Sequence, residues 1–153
     1  MITRLRCPDW MNTLAFTTAG ELLTVEQHRH GPGRPTLEII GGVCEPGEAP
    51  VETARRELRE ETGYGSSTWV DLGSCYPNPA FQDNRCHFFL ALDCKPISRL
   101  DLDPTEELRV WAVPWSEWED MMRTGVVDHA LVLVACLRLM QWDGWPQLQK
   151  QLT

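Results

Sequence analysis

The sequence predicts an α/β domain built on a mixed β-sheet, and three observations carry that expectation. Short apolar or alternating runs rich in β-formers recur along the chain, at Met11 to Thr17, Glu21 to Arg29, Thr36 to Ile40, Thr68 to Ser74, Cys86 to Leu92 and Glu107 to Val113. Helix-period segments lie between and after them. Glycine and proline punctuate the joins, and this alternation of strands and helices with hairpin turns is the pattern of a sheet covered by helices. The 153 residues suit one domain, 1–153, with neither an internal repeat nor a dividing linker. A chain of this size buries roughly two thirds of its unfolded surface.

Taken in order, the first two strands flank the turn Thr18-Ala19-Gly20, and Thr36 to Ile40 forms a short apolar strand running into Gly41-Gly42. A helix is expected from about Pro50 to Thr62: proline is tolerated in a first helical turn, and Gly63 suits a left-handed cap. After the strands at Thr68, Cys86 and Glu107, Ser116 with Glu119 makes a capping-box pattern that opens a short helix ended by Gly125. Asp128 is placed to cap a last helix reaching about Trp142, with Gly144 and Pro146 ending it.

The formal net charge is −8, so a nucleic-acid backbone is repelled and no nucleic-acid partner is expected. An acidic protein that handles phosphate needs a cation or a local arginine. The six cysteines (Cys7, Cys44, Cys75, Cys86, Cys94, Cys136) form no C-x-x-C pair and read as free thiols in a reducing cytosol. The first residues lack an apolar core of signal-peptide length. The most apolar stretch, Ala130 to Met140, is too short to span a bilayer and carries Arg138. A cytoplasmic protein without a membrane partner is expected.

On a wheel of about 100° per residue, Val51, Ala54 and Leu58 share a narrow sector that should face the core. Glu57, Glu60 and Glu61 share an adjacent sector, and Arg55, Arg56 and Arg59 lie mostly on the other flank. Like charges at spacings of three and four cost ~0.2–0.5 kcal/mol per pair in a free helix. Clustering three hard oxygen donors in spite of that cost suits a hard divalent cation, Mg²⁺ or Mn²⁺.

Gly42, Glu48, Arg56, Glu57, Leu58, Glu60, Glu61, Gly63 and Tyr64 stand in the spacing G-x5-E-x7-R-E-U-x-E-E-x-G-U, with U a bulky apolar residue. A chance match to the seven fixed positions is on the order of one in a million or less. The chain therefore resembles the Nudix hydrolases, whose signature box this is; Tyr64 stands where Ile, Leu or Val is usual. The resemblance implies a Nudix-type α/β/α sandwich with the box spanning 42–64 as loop, helix and loop. It implies that Glu57, Glu60 and Glu61 bind metal, that Arg56 orients Glu57, and that Glu48 braces the arrangement. The carbonyl of Gly41 sometimes completes the metal shell in the family, while Gly42 and Gly63 shape the box. A pyrophosphate resists attack because its oxygens are anionic; divalent ions neutralise that charge and lower the pKa of a water.

Outside the box, Gln27-His28-Arg29 followed by Leu37-Glu38-Ile39-Ile40-Gly41-Gly42 resembles the Q-x-R … E-L-P-x-G run of ADP-ribose and nucleotide-sugar pyrophosphatases, with Ile40 in place of proline. The resemblance implies that Arg29 binds a substrate phosphate and that Glu38 contacts the base. Pro79 stands fifteen residues past Tyr64, like the marker proline of that subfamily. The run Asp103-Pro104-Thr105-Glu106-Glu107 looks like the acidic loop that supplies a general base; Glu106 is the first choice and Glu107 the alternative. The four histidines lack metal-ligand spacing and take structural or surface roles. The tryptophans read as packing residues, with one of Trp111, Trp115 or Trp118 a candidate to stack on a base.

The function implied is metal-dependent hydrolysis of a nucleoside diphosphate joined to another moiety, ADP-ribose or another nucleotide sugar, giving a nucleoside monophosphate and a sugar phosphate. The alternative is a housecleaning nucleoside triphosphate pyrophosphohydrolase. A non-catalytic ligand-sensing Nudix module is a third reading, against which the intact box glutamates speak. The partner expected is a small-molecule nucleotide. A homodimer stays open: sugar-nucleotide members often dimerise through an N-terminal strand region, and only about 40 residues precede the box here.

Overall fold

The computed structural model describes residues 3–98 and 108–152. Among the described residues, eight strands and four helices follow in the order β1 (Trp10–Thr17), β2 (Glu21–Arg29), β3 (Arg34–Glu38), β4 (Ile40–Val43), α1 (Pro50–Thr62), β5 (Tyr64–Gly65), β6 (Thr68–Cys75), β7 (Cys86–Pro96), β8 (Leu108–Pro114), α2 (Trp115–Thr124), α3 (Ala130–Met140) and α4 (Trp145–Gln149). β1 runs parallel to β7 and antiparallel to β2 and β4, so the sheet is mixed. Its first half pairs with β4 (Met11 opposite Gly42, Asn12 opposite Gly41) while Phe16 pairs with Leu22 of β2. Bracketed by neighbours and helices, β1 is buried from Met11 through Phe16, as a central strand covered on both faces must be.

Two apolar cores lie on opposite faces of the sheet. One gathers Leu14, Phe16, Phe88 and Leu90 with residues of α2, α3 and α4, among them Trp118, Val132, Leu139 and Trp145. The other sets Met11, Ala15, Leu23 and Ile40 against Ala54 and Leu58 of α1, with Val51 packed at its border. Helices on both faces of a mixed sheet make the expected α/β/α sandwich. Among the described residues no helix is long and apolar enough to cross a membrane.

Four local expectations are corrected. The single strand at Thr36–Ile40 is two strands, β3 and β4, separated at Ile39, because Glu38 must stay paired with Val25 of β2 while Ile40 turns to pair with Thr13 of β1. Ser116 does not cap α2. That helix starts at Trp115 after Pro114 and has no side-chain cap; β8 continues through Pro114, so the chain has no free residue at 116 to act as cap. Asp128 does not cap α3, which starts at Ala130 with His129 as N-cap, since the Asp128 carboxylate is held by Arg34 across the fold. Gly144 and Pro146 do not end a helix. They open α4, with Gly144 at the N-cap and the proline in the first turn, where its missing N–H is harmless.

Candidate functional site

α1 has no side-chain cap; Pro50 occupies its first turn and Gly63 closes it at φ 74°, donating its N–H to the Arg59 carbonyl at 2.8 Å. With Ala54 and Leu58 fully buried, the helix can turn only one way, and that orientation carries its acidic flank toward β4. There the sheet offers two glycines. A Cβ added to Gly42 would lie 2.1 Å from the Glu57 carboxylate, and one on Gly41 would lie 2.8 Å from Asn12 Oδ1. Glycine at 42 is what allows the Glu57 carboxylate to rest against the strand backbone.

Arg56 organises the acidic groups around it. Its Nε and Nη2 each donate to Glu48 at 3.1 Å, its Nη1 donates to Glu57 at 2.7 Å and to Glu60 at 3.3 Å, and Nη2 also reaches the Val43 carbonyl at 3.2 Å. Glu48 further accepts from Thr53 Oγ1 at 2.8 Å and from the Glu45 N–H at 3.1 Å. The Arg56 guanidinium beside Glu48 holds its carboxyl well below the usual carboxylate range, at about 2. Those same carboxylates push the Arg56 pKa further up, so its charge is fixed.

A cavity of about 1330 Å³ opens beside this cluster. Its lining includes Gly41, Gly42, Arg56, Glu57 and Glu61 of the box, and Gln27, Arg29, Arg34 and Thr36 of the β2–β3 hairpin. Glu60, with 32% of its side chain exposed, lies outside the lining and pairs with Arg59 and Arg56. Glu38 is also outside the lining. It is buried behind Arg29, accepting from that guanidinium at 2.8 and 2.7 Å and from Thr36 Oγ1 at 2.5 Å. Burial alone would push the Glu38 carboxyl up; hydrogen bonds from Arg29 and Thr36 outweigh it and hold the group below its ordinary value. Pro79 is exposed in a turn away from the cavity, and Glu106 and Glu107 lie outside the described residues.

Among the described residues no three carboxylate, thiol or imidazole groups stand close enough together to hold a metal ion as placed. The donor chemistry still fits a hard divalent ion. Glu57 and Glu61 sit one turn apart on the cavity wall with the Gly41 backbone beside them, and Gly42 leaves the room in which the Glu57 carboxylate rests. The six cysteines are free, and burial raises the thiols of Cys94 and Cys136 to about 12 and about 11, which leaves them unreactive.

Among the cavity residues given no site role from sequence are Trp10, Arg34 and His129, the last read there as structural or surface. Trp115 and Trp118 are core residues and Trp111 lies on β8 away from the cavity, so the candidates for stacking pass to Trp10. The period-two pattern of β1 puts Trp10 on the same face as Leu14 and Phe16, but nothing local in the sequence marks that face as opening onto a cavity at its first residue.

A family model described as the NUDIX domain matches residues 11–135. An ADP-ribose pyrophosphatase of Bacillus subtilis (strain 168) is 36% identical over 107 residues, covering 69% of this chain and 58% of that protein. An ADP-ribose pyrophosphatase of Mycobacterium tuberculosis (strain ATCC 25618 / H37Rv) is 37% identical over 126 residues, covering 81% of this chain and 61% of that protein. The chain thus spans about three fifths of the length of these curated relatives. A crystal structure of an ADP compounds hydrolase superposes with a TM-score of 0.80 at 22% identity, covering 94% of this chain and 75% of that one, which shows a shared fold. Nudix domains in general depend on a divalent metal ion. Because the matched span covers most of the chain, including the glycine-bearing β4 and the acidic helix, the chain belongs to the NUDIX domain family.

Proposed function

We propose that this chain hydrolyses the pyrophosphate linkage of a nucleoside diphosphate joined to a second group, with ADP-ribose or another nucleotide sugar as substrate. The observation that carries the proposal is the sharing of one cavity by the box wall (Gly41, Gly42, Glu57, Glu61) and by Gln27 and Arg29 of the hairpin. Carboxylates that suit a divalent cation thereby share one cavity with an arginine that suits a phosphate. The names of the relatives from Bacillus subtilis and Mycobacterium tuberculosis support the same substrate class.

Glu57 and Glu61, with Glu60 and the Gly41 carbonyl beside them, would hold Mg²⁺ or Mn²⁺. A divalent ion there offsets the charge on the phosphate oxygens and makes a water easier to deprotonate. Arg56 fixes the Glu57 carboxylate by a direct hydrogen bond, and Glu48 fixes Arg56. Arg29, paired with Glu38, stands on the cavity lining, where its positive charge would meet a substrate phosphate. Glu106, with Glu107 the alternative, takes the proton from the attacking water. The water oxygen bonds to one phosphorus, the bridging P–O bond breaks, and a nucleoside monophosphate leaves with a sugar phosphate. Six free thiols support action in the reducing cytoplasm.

The test is turnover of a panel of diphosphate compounds with magnesium, read by product identity. ADP-ribose should give AMP and ribose 5-phosphate, and EDTA should abolish turnover. Cleavage of nucleoside triphosphates to monophosphate and pyrophosphate, with kcat/KM well above that for every nucleotide sugar tried, would replace this proposal with the triphosphate reading.

A further inference from the structure

We infer that Trp10 is the residue on which the nucleobase of the substrate stacks, with His129 as the edge that closes this end of the cavity. The inference rests on the proposed substrate class and adds a specificity-determining position to it. Trp10 is half-buried, lines the cavity, and begins β1 opposite Val43 of β4. Its indole lies on the α2–α4 face of the sheet, whereas its neighbour Met11 packs on the α1 face. The cavity therefore reaches both sides of the sheet edge, with the box carboxylates on one side and Trp10 on the other. Gly41 and Gly42 of β4 line the cavity between them.

His129 meets Trp10 edge to face, with ring centroids 6.3 Å apart and planes at 74°. This contact packs the indole against the imidazole at the cavity lining. The His129 Nδ1 is buried and lacks a hydrogen-bond partner among the described residues. Such an atom is costly to leave unpaired, and a bound group with a complementary edge would satisfy it. Arg34 and Asp128, paired with each other, form the adjacent rim. A flat aromatic ring beside a polar edge suits a base rather than a sugar, because stacking on an aromatic side chain needs a π-face.

The test uses intrinsic tryptophan fluorescence and calorimetry of the full chain with AMP, GMP, UMP and CMP as probes, on wild type, W10F and W10A. At least one nucleotide should quench wild-type fluorescence. In W10F that quench should vanish while affinity stays within about threefold, since a phenyl ring still stacks. In W10A affinity should fall about tenfold or more, and KM for the matching diphosphate substrate should rise with kcat little changed. Should W10A fail to fold, the lost quench in W10F decides. An unaltered quench in W10F, or binding of none of the four nucleotides to wild type, overturns the inference. Turnover of ADP-ribose with KM unchanged in folded W10A overturns it while the proposed reaction stands. A Trp10-dependent quench without turnover of any nucleotide sugar supports the base site and removes the proposed reaction.

Discussion

Arg56 is the residue through which the box carboxylates are held in place. It serves Glu48 with two donors and Glu57 and Glu60 with one shared nitrogen, a use of the planar guanidinium fork that lysine could not reproduce. Glu48 titrates at about 2 against an ordinary value of 4.5. A folded pKa below the unfolded one means that this group's contribution to stability is fully present above pH 4.5 and is lost as pH falls through about 2. The melting-temperature gap between wild type and Glu48→Gln should therefore be constant near neutrality and should close between those limits; a gap independent of pH would show that the pair contributes nothing. Glu61 presents a different case, since it is 6% exposed on the cavity wall. Glu61→Gln keeps its shape and removes its charge, so metal-dependent turnover should drop by about a hundredfold or more with the circular dichroism unchanged. Full activity in that variant would take Glu61 out of the metal site.

At the scale of elements, α1 and β4 behave as one unit because Gly42 admits the Glu57 carboxylate at a separation no Cβ would permit. Gly42→Ala should force the end of the Glu57 side chain aside. That movement is easy for a flexible chain, so melting temperature should change little while turnover falls at least tenfold, as expected for a displaced metal ligand. A variant as active as wild type would show that the close approach is incidental. Gly63 tests the other end of the helix: at φ 74° an alanine would cost about 1–2 kcal/mol, read as lost stability in urea melts. The extent of α1, its Gly63 cap and its buried sector of Ala54 and Leu58 were all legible in the sequence, because they follow from spacing along the chain. The break at Ile39, the start of α2 and the cap of α3 were not. Each is decided by a partner far away: β1 for Ile40, the continuing pairing of β8 with β2 for Pro114, and Arg34 for Asp128.

For the molecule as a whole, the two cores lock α1 to one face of the sheet and α2–α4 to the other, and the cavity opens where β1, β3 and β4 meet. β8 pairs with β2 so that Leu108 lies opposite Gln27, which lines that cavity. Glu106 and Glu107, which directly precede Leu108 in the chain, are the proposed candidates for the base. Glu106→Gln should lower kcat by about 10²–10⁴ with substrate binding little affected, and Glu107→Gln should be milder. The reverse order would make Glu107 the base, and two fully active variants would assign proton removal elsewhere.

The sequence by itself determined the α/β class, the helix from Pro50 to Thr62 and the set of residues facing outward from its acidic flank. These are properties of spacing within one element, and helical geometry converts spacing into direction. It also marked Arg29 and Glu38 through a local run, and the folded chain pairs the two, with the buried Glu38 carboxylate behind the guanidinium. Only the tertiary structure decided that Glu57 and Glu61 face the cavity while Glu60 turns to Arg59, and that Trp10, Arg34 and His129 join them from β1, β3 and the cap of α3. Those three residues come from positions as far apart as 10 and 129, each unremarkable among its neighbours. What brings them together is the packing of helices on two faces of one sheet, a long-range arrangement that leaves no periodic trace in any single stretch of chain.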